Sequence, residues 1–231
     1  MGSILFSRVF GQAGRVLAAA FLLGSSPAPA QLLLSEVFYD AIGSDDGWGF
    51  VEIAGAPGTD LDGWRVVGIN GANGETVVTV DLVGAIAEDG LFLLVDRTSG
   101  GTTFTPGNDQ VANFDLQNGP DSVQLRDRDR VADALGYGVF GPGTFSFAEG
   151  MPAPDVPPGH SLARFFADAD SGDNANDFGV LSVPTPGWAV FRPVPEPGTG
   201  ALVVAGLLVL GVRARRNRIR CAQFALPLPT G

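Results

Sequence analysis

The chain has 231 residues, with 25 acidic side chains against 14 basic ones and a formal charge of −11 at pH 7. Every basic residue is an arginine, and the only cysteine is Cys221. The acidic balance excludes a nucleic-acid binder, whose affinity rests on neutralising phosphates, and a lone thiol excludes an internal disulfide framework.

The first thirty residues read as an export label. Arg8 and Arg15 supply a positive start, Val16 to Gly24 an apolar run, and Ala28-Pro29-Ala30 a small-residue cleavage site; these are the three parts of a secretory signal peptide. The apolar run is too short to span a membrane. A cleaved segment 1–30 is therefore expected, with the mature chain beginning at Gln31. Between Gln31 and Val194 the sequence holds 24 Asp or Glu against 7 Arg, a formal charge of −17. Such a surface suits a soluble extracellular body, or one that collects cations. Roughly 160 residues bury a core without disulfide or metal staples, so residues 31–190 are read as one domain.

Within that domain no helical period appears. Short β-rich runs recur instead: Leu32 to Tyr39, Phe50 to Ile53, Trp64 to Ile69, Thr76 to Val83, Leu91 to Val95, Ser122 to Arg126 and Val131 to Tyr137. Asn70-Gly71 and Asn73-Gly74 tolerate positive φ and predict a hairpin into Thr76. The uninterrupted apolar run Leu91 to Val95 predicts a strand covered on both faces. Phe140 to Gly159 is rich in Gly and Pro and reads as a long surface loop. Short strands at this spacing argue for an all-β sandwich, with Phe50 and Trp64 in its core.

Several blocks then carry a resemblance. Ser35-Glu36-Val37, Gly49-Phe50-Val51-Glu52-Ile53 and Leu61-Asp62-Gly63-Trp64 are followed by the run from Gly119 to Asp127 and by Val131 to Tyr137. Gly159 to Arg164, Asn174 to Phe178 and Pro184-Thr185-Pro186-Gly187 complete the series. In this order, across about Leu32 to Gly187, they resemble the lamin-tail domain. One departure is Ala54-Gly55, where that family often has an asparagine. The resemblance implies an immunoglobulin-like β-sandwich acting as a binding or scaffold module, and not as an enzyme.

The candidate chemistry is sparse. His160 and Ser161 are adjacent, and neighbours on a strand point to opposite faces, so they make no nucleophile–base pair. Gly136-Tyr137-Gly138-Val139-Phe140-Gly141 has dinucleotide-binding spacing, but Pro142-Gly143 follows where a helix should begin, leaving no dipole for a pyrophosphate. The acidic run from Asp168 to Asp177 is the sharpest candidate. Asp168, Asp170, Asp173, Asn174 and Asp177 place hard oxygen donors around a glycine, the ligand type calcium takes. The competing reading is a loop of Asx turns bonding its own backbone. Asp40, Asp45 and Asp46 form a smaller acidic group read as a solvated loop. Trp48 and Trp188 are candidate exposed aromatics for sugar stacking, without a supporting pattern. Glu36 and Glu52 on neighbouring strands are paired carboxylates of the kind glycosidases use, with structural use the stronger expectation.

The end of the chain has the clearest organisation. Pro-rich residues 191–197 end in Val194-Pro195-Glu196-Pro197, and an uncharged run 198–212 follows. Arg213, Arg215, Arg216, Arg218 and Arg220 then crowd the tail 213–231. The run is roughly 22 Å long as a helix, short of the ~30 Å hydrocarbon layer. Flanking arginines lengthen such a span by snorkelling and hold their end in the cytoplasm. A single short transmembrane helix is therefore expected over 198–212.

This order resembles the PEP-CTERM sorting signal of exported bacterial proteins. In that family an intramembrane exosortase recognises the signal and removes it. The resemblance assigns recognition to Val194, Pro195, Glu196 and Pro197, and orientation to Arg213, Arg215 and Arg216. Members of the family usually end soon after the arginines, whereas here Asn217 to Gly231 follow. The expected route is secretion, a transient stop in the inner membrane, and then the cell surface or medium. The expected partners are exosortase, the secretion machinery, the membrane, and an extracellular polysaccharide or protein in a biofilm matrix. The alternatives are a secreted metal-dependent hydrolase or nuclease using the acidic groups, and a calcium-stabilised adhesion module.

Overall fold

The apolar residues of the middle region recur at strand spacing, and the fold follows from burying them between two sheets. The structure, a computed structural model, describes residues 31–193. The expected signal segment with Ala28 and Ala30, and the C-terminal elements from Val194 onward, lie outside the described residues. Ten strands are present among the described residues: β1 (Leu33–Phe38), β2 (Phe50–Ala54), β3 (Trp64–Asn70), β4 (Thr76–Asp81), β5 (Leu91–Asp96), β6 (Gln110–Ala112), β7 (Asp121–Asp127), β8 (Arg130–Tyr137), β9 (Ser161–Arg164) and β10 (Phe178–Leu181). The helix α1 spans only Asn174–Asp177. Among the described residues no helix is long and apolar enough to cross a membrane.

One sheet has six strands in the order β10-β9-β1-β2-β5-β6, and the other has four in the order β4-β3-β7-β8. All pairings are antiparallel except β5 with β6. Leu34, Val37, Val51, Ile53, Phe92 and Leu94 of the first sheet share one apolar core with Val66, Val78, Val80, Val123, Leu125 and Leu135 of the second. Each large aliphatic side chain buried this way contributes about 1.5–3 kcal/mol. Tyr39 and Tyr137 stack in that core with ring centroids 4.1 Å apart.

The predicted strands all form, and the β3–β4 hairpin turns at Gly74 with φ of 76°. Asn70 and Asn73 accept from the backbone N–H groups of Ala72 and Glu75, closing the Asx turns that shape it. Phe50 is buried, but its side chain belongs to a second cluster with Phe38, Ala41, Leu93 and Val95. Trp64 packs half-buried against the main core. Strand β5 is buried along its whole length, as expected of a strand covered on both faces.

An irregularity in β1 positions the chemistry. Leu34 and Val37 both belong to the main core although three residues apart, which regular alternation forbids. The pairing with β2 shifts between Leu34 and Glu36. The extra residue of this bulge restores the inward facing of Val37 and leaves Ser35 and Glu36 together between the two core residues.

Candidate functional site

Two groups of buried charge and polar side chains stand on the six-stranded sheet. The first centres on Arg164 at the end of β9, whose side chain is fully buried. Its Nε donates to the Leu34 carbonyl at 2.9 Å, and one terminal nitrogen donates to Asp133 Oδ1 at 2.7 Å. The other terminal nitrogen donates to Asp177 Oδ2 at 2.9 Å and to the Ala169 carbonyl at 3.0 Å. The guanidinium also lies 4.6 Å from the Phe178 ring centroid, a cation–π distance. Asp133 comes from β8 of the other sheet and accepts from the Leu34 N–H at 2.6 Å. Arg164 and Asp133 thus tie the two sheets together through β1.

The acidic run wraps this arginine. Its five expected calcium ligands do not converge on one point. Asp168 accepts from the Arg192 N–H and guanidinium. Asp170 Oδ1 accepts from the Gly172 N–H at 2.9 Å and stands 3.7 Å from Arg164. Asp173 caps α1 by accepting from the Ala175 N–H. Asn174 is buried; it donates to the Ala134 carbonyl and accepts from the Gly136 and Glu149 N–H groups, bonding β8 as a neighbouring strand would. Asp177 accepts from Arg164 and from the Ser171 N–H. Burial alone would raise Asp168 and Asp177, but the Arg192 and Ser171 N–H groups, with the two arginines, hold both below the ordinary value.

Among the described residues one group of three carboxylates does converge: Asp133, Glu149 and Asp170 offer oxygens within 4.8 Å of one another. Only Asp170 of the expected set belongs to it, and Arg164 already supplies the positive charge there. Glu149 Oε2 is buried without a donor. Burial, then the charges of Asp133 and Asp170, raise Glu149 to about 7 against the opposing pull of Arg164. A proton on Glu149 relieves the meeting of its carboxyl with Asp133.

The second group is the pair Glu36 and Glu52, direct cross-strand partners on β1 and β2. Both are fully buried. Glu36 Oε1 accepts from Ser161 Oγ at 2.5 Å and the Thr185 N–H at 2.9 Å, while Oε2 accepts from Thr185 Oγ1 at 2.6 Å. Glu52 Oε1 accepts from Ser35 Oγ at 2.7 Å and Oε2 from the Gly187 N–H at 2.7 Å. Burial raises Glu52 to about 7; the Ser35 and Gly187 donors lower it, and the charges of Glu36 and Asp89 add to the rise. The pair holds the segment 184–190 across the outer face of the sheet. Ala189 of that strap packs on Ala54, Leu91 and Ala167, and the Asp168–Arg192 pair fastens its end.

A cavity of about 240 Å³ runs beside the strap, lined by Glu36, Glu52, Arg164, Phe165, Val180 and Trp188 among others. All four oxygens of Glu36 and Glu52 accept from the chain's own donors, which is the structural use expected of the pair. Ser161 is spent on Glu36, and His160 Nδ1, just before β9, lies 3.3 Å from the Pro158 carbonyl. Gly136 and Tyr137 are residues of β8, bridged to the loop that follows by Ala153. Asp45 accepts from the Ala41 N–H, and Asp46 from Ser99, so this smaller acidic group shapes its loop. Gln31, the expected first mature residue, is exposed and donates to the Ala132 carbonyl.

The PEP-CTERM protein-sorting motif matches residues 193–217. Pro193 is both the first residue of that match and the last described residue beyond the strap. No curated protein matches the chain. The motif supports an exported protein sorted by exosortase, and the domain that precedes it is mostly β-sheet in two sheets.

Proposed function

We propose that residues 31–193 are the exported cargo of an exosortase-dependent route and act outside the cell as a non-catalytic binding or scaffold module of lamin-tail type. The observation that carries this reading is the sorting motif at 193–217, which begins where the carboxylate-pinned strap ends. Recognition falls to Val194, Pro195, Glu196 and Pro197. Arg213, Arg215 and Arg216 keep the end of the short span at the cytoplasmic face. The segment 1–30 directs export and is removed between Ala30 and Gln31.

The lamin-tail part of the reading is supported by the order of its sequence blocks and by where their residues work. Ser35, Glu36 and Glu52 pin the strap containing Pro184 to Gly187, and Asn174 pairs with β8. The non-catalytic part is supported by the Glu36–Glu52 pair, each of whose oxygens accepts from the chain's own donors. Adhesion or packing within an extracellular polymer is the role that fits such a module.

Intact-mass analysis of the protein from its native host tests the sorting reading. The expected species starts near Gln31 and ends close to Pro197. A species retaining Arg213 to Gly231 overturns exosortase release and leaves a stable anchor. A deletion strain with unchanged attachment, aggregation and matrix composition overturns the extracellular role.

A further inference from the structure

Of the two tryptophans read as exposed, Trp48 is 44% exposed and leans on Phe104, with ring centroids 5.0 Å apart. Trp188 stands on the strap and is 63% exposed. With Val190 it lines the cavity beside the strap, together with Leu181 and with Phe165, itself 59% exposed. Glycines let aromatic rings lie on the sheet here. A Cβ on Gly179 would come within 2.7 Å of the Phe165 ring, and one on Gly90 within 3.2 Å of the exposed Phe191 ring.

Charge is kept out of this patch. From Phe178 to Phe191 no charged residue occurs, in a body of formal charge −17. Glu36, Glu52 and Arg164, deeper in the cavity, are buried and paired within the chain. Charge returns at the rim, where Asp168 is paired with Arg192, and where Glu88 and Asp89 stand exposed in the turn before Gly90. An apolar patch with a polar rim marks a surface for protein or for lipid.

The length of the tether chooses between them. The Val190 carbonyl accepts from the Ala167 N–H at 2.7 Å, and the Arg192 N–H donates to Asp168 at 2.8 Å. The chain is thus held to the domain as far as Arg192, and the uncharged run begins at Gly198. From Pro193 to Gly198 the chain reaches about 18 Å when fully extended, whereas a domain of this size is roughly 40 Å across. Anchored that closely by the span proposed above, the domain turns the surface around Pro193 to the bilayer. Trp188, Val190 and Phe191 all lie within five residues of Pro193.

We infer that the outer face of the six-stranded sheet around the strap docks on the lipid surface, with Phe165, Trp188, Val190 and Phe191 in the headgroup layer. Tryptophan favours that layer because its ring is apolar and its N–H is polar. An uncharged face brings no carboxylate into the layer, which the acidic remainder of the body would. This inference rests on the reading of 198–212 as a membrane span and assigns the side of the domain that faces the membrane.

The test uses the full chain with Cys221→Ser and one new cysteine carrying an environment-sensitive nitrobenzoxadiazole dye. The chain is reconstituted in phosphatidylcholine vesicles, with and without a lipid bearing a nitroxide quencher near the top of its acyl chain. The dye is placed at Val190→Cys in the patch, at Val77→Cys on β4, turned away from the core on the opposite sheet, or at Leu207→Cys in the span. Quenching at position 190 is expected to exceed that at 77 at least about threefold, because a docked apolar face lies roughly 5–10 Å into the headgroup boundary. Phe165→Ser with Trp188→Ser is expected to bring position 190 down to the level of 77 without lowering the melting temperature, since both side chains are exposed. Quenching at 207 with no excess at 190 overturns the docking of this face and leaves the span standing. No quenching at 207 removes the span, and the inference with it. A blue-shifted but unquenched dye at 190, with the mass of a dimer in detergent, gives this face to a second copy and also overturns the inference.

Discussion

Buried carboxylates packed against the six-stranded sheet are satisfied in two opposite ways. Around Arg164, Asp133 and Asp177 face a guanidinium that itself binds two carbonyls, so charge meets charge across the two sheets. Under the strap, Glu36 and Glu52 receive only hydroxyl and amide donors, and no cation stands against them. The first arrangement links sheet to sheet, and the second links sheet to the segment that leads into the sorting motif. Neutral donors leave more of the desolvation penalty uncompensated than a paired cation does. The strap is accordingly the attachment more easily undone.

Removing the cation has the largest expected effect. Arg164→Met keeps the stem over Phe178 but strands Asp133 in the core. An uncompensated buried charge costs about 3–5 kcal/mol, read as a fall in the urea midpoint at constant slope. A loss below ~1 kcal/mol would remove Arg164 as the tie between the sheets and erase the contrast.

Acidity comes next, and each group holds one raised glutamate. Glu52 and Glu149 rise from 4.5 to about 7, so the folded chain keeps protons that the unfolded chain releases. Their contribution is complete below about pH 4.5 and is lost as pH rises through about 7. Asp168 and Asp177 are held below 3.8, and their contribution is present above that value and lost as pH falls below it through their lowered folded values. The chain is therefore expected to melt higher at pH 5 than at pH 8. For Glu52 the difference is on the order of 2–3 kcal/mol as an upper bound. Glu149 adds a smaller amount of the same sign, since solvent screens it more. In Glu52→Gln the slope between these pH values flattens, whereas a Glu52→Gln chain with the full slope would assign the effect elsewhere.

The strap itself is probed by Thr185→Val, which keeps shape and deletes the hydroxyl donated to Glu36 Oε2. A loss of about 1–2 kcal/mol is expected, with faster amide exchange concentrated in 184–190. Uniform loss of protection through the whole domain would mean that the strap does not open separately. Asp168→Asn is expected to lose under ~1 kcal/mol, because the pair with Arg192 is exposed to solvent and salt.

Much of this fold is legible from residue order. The runs over 50–53, 64–69, 91–95 and 122–126 carry clear β patterns, and Asn73-Gly74 marks its turn. Strands β6, β9 and β10 are less legible, because three or four residues are too few for alternation to show. The bulge at Ser35 is hidden for another reason: Leu33 to Phe38 is buried throughout, so burial reveals no change of face. The acidic run was visible, but its cation was not. Arg164 lies four residues before Asp168, and its pairing with Asp133 spans 31 positions, which spacing within the run does not encode.

That missing cation leads to the smallest expected effect. Calcium would bind the acidic run only by competing with a guanidinium already bonded to Asp133 and Asp177, with Asp170 at 3.7 Å. Two cations in that space repel each other, and the oxygens of Asp168, Asp173 and Asn174 are turned to other donors. The melting temperature is therefore expected to be the same in EDTA and in millimolar calcium. A ligand that bound only the folded chain would raise it steadily with concentration, as mass action requires. Such a rise would show that the loop reopens around a metal, and the Arg164 group would then resemble the strap as a second detachable attachment.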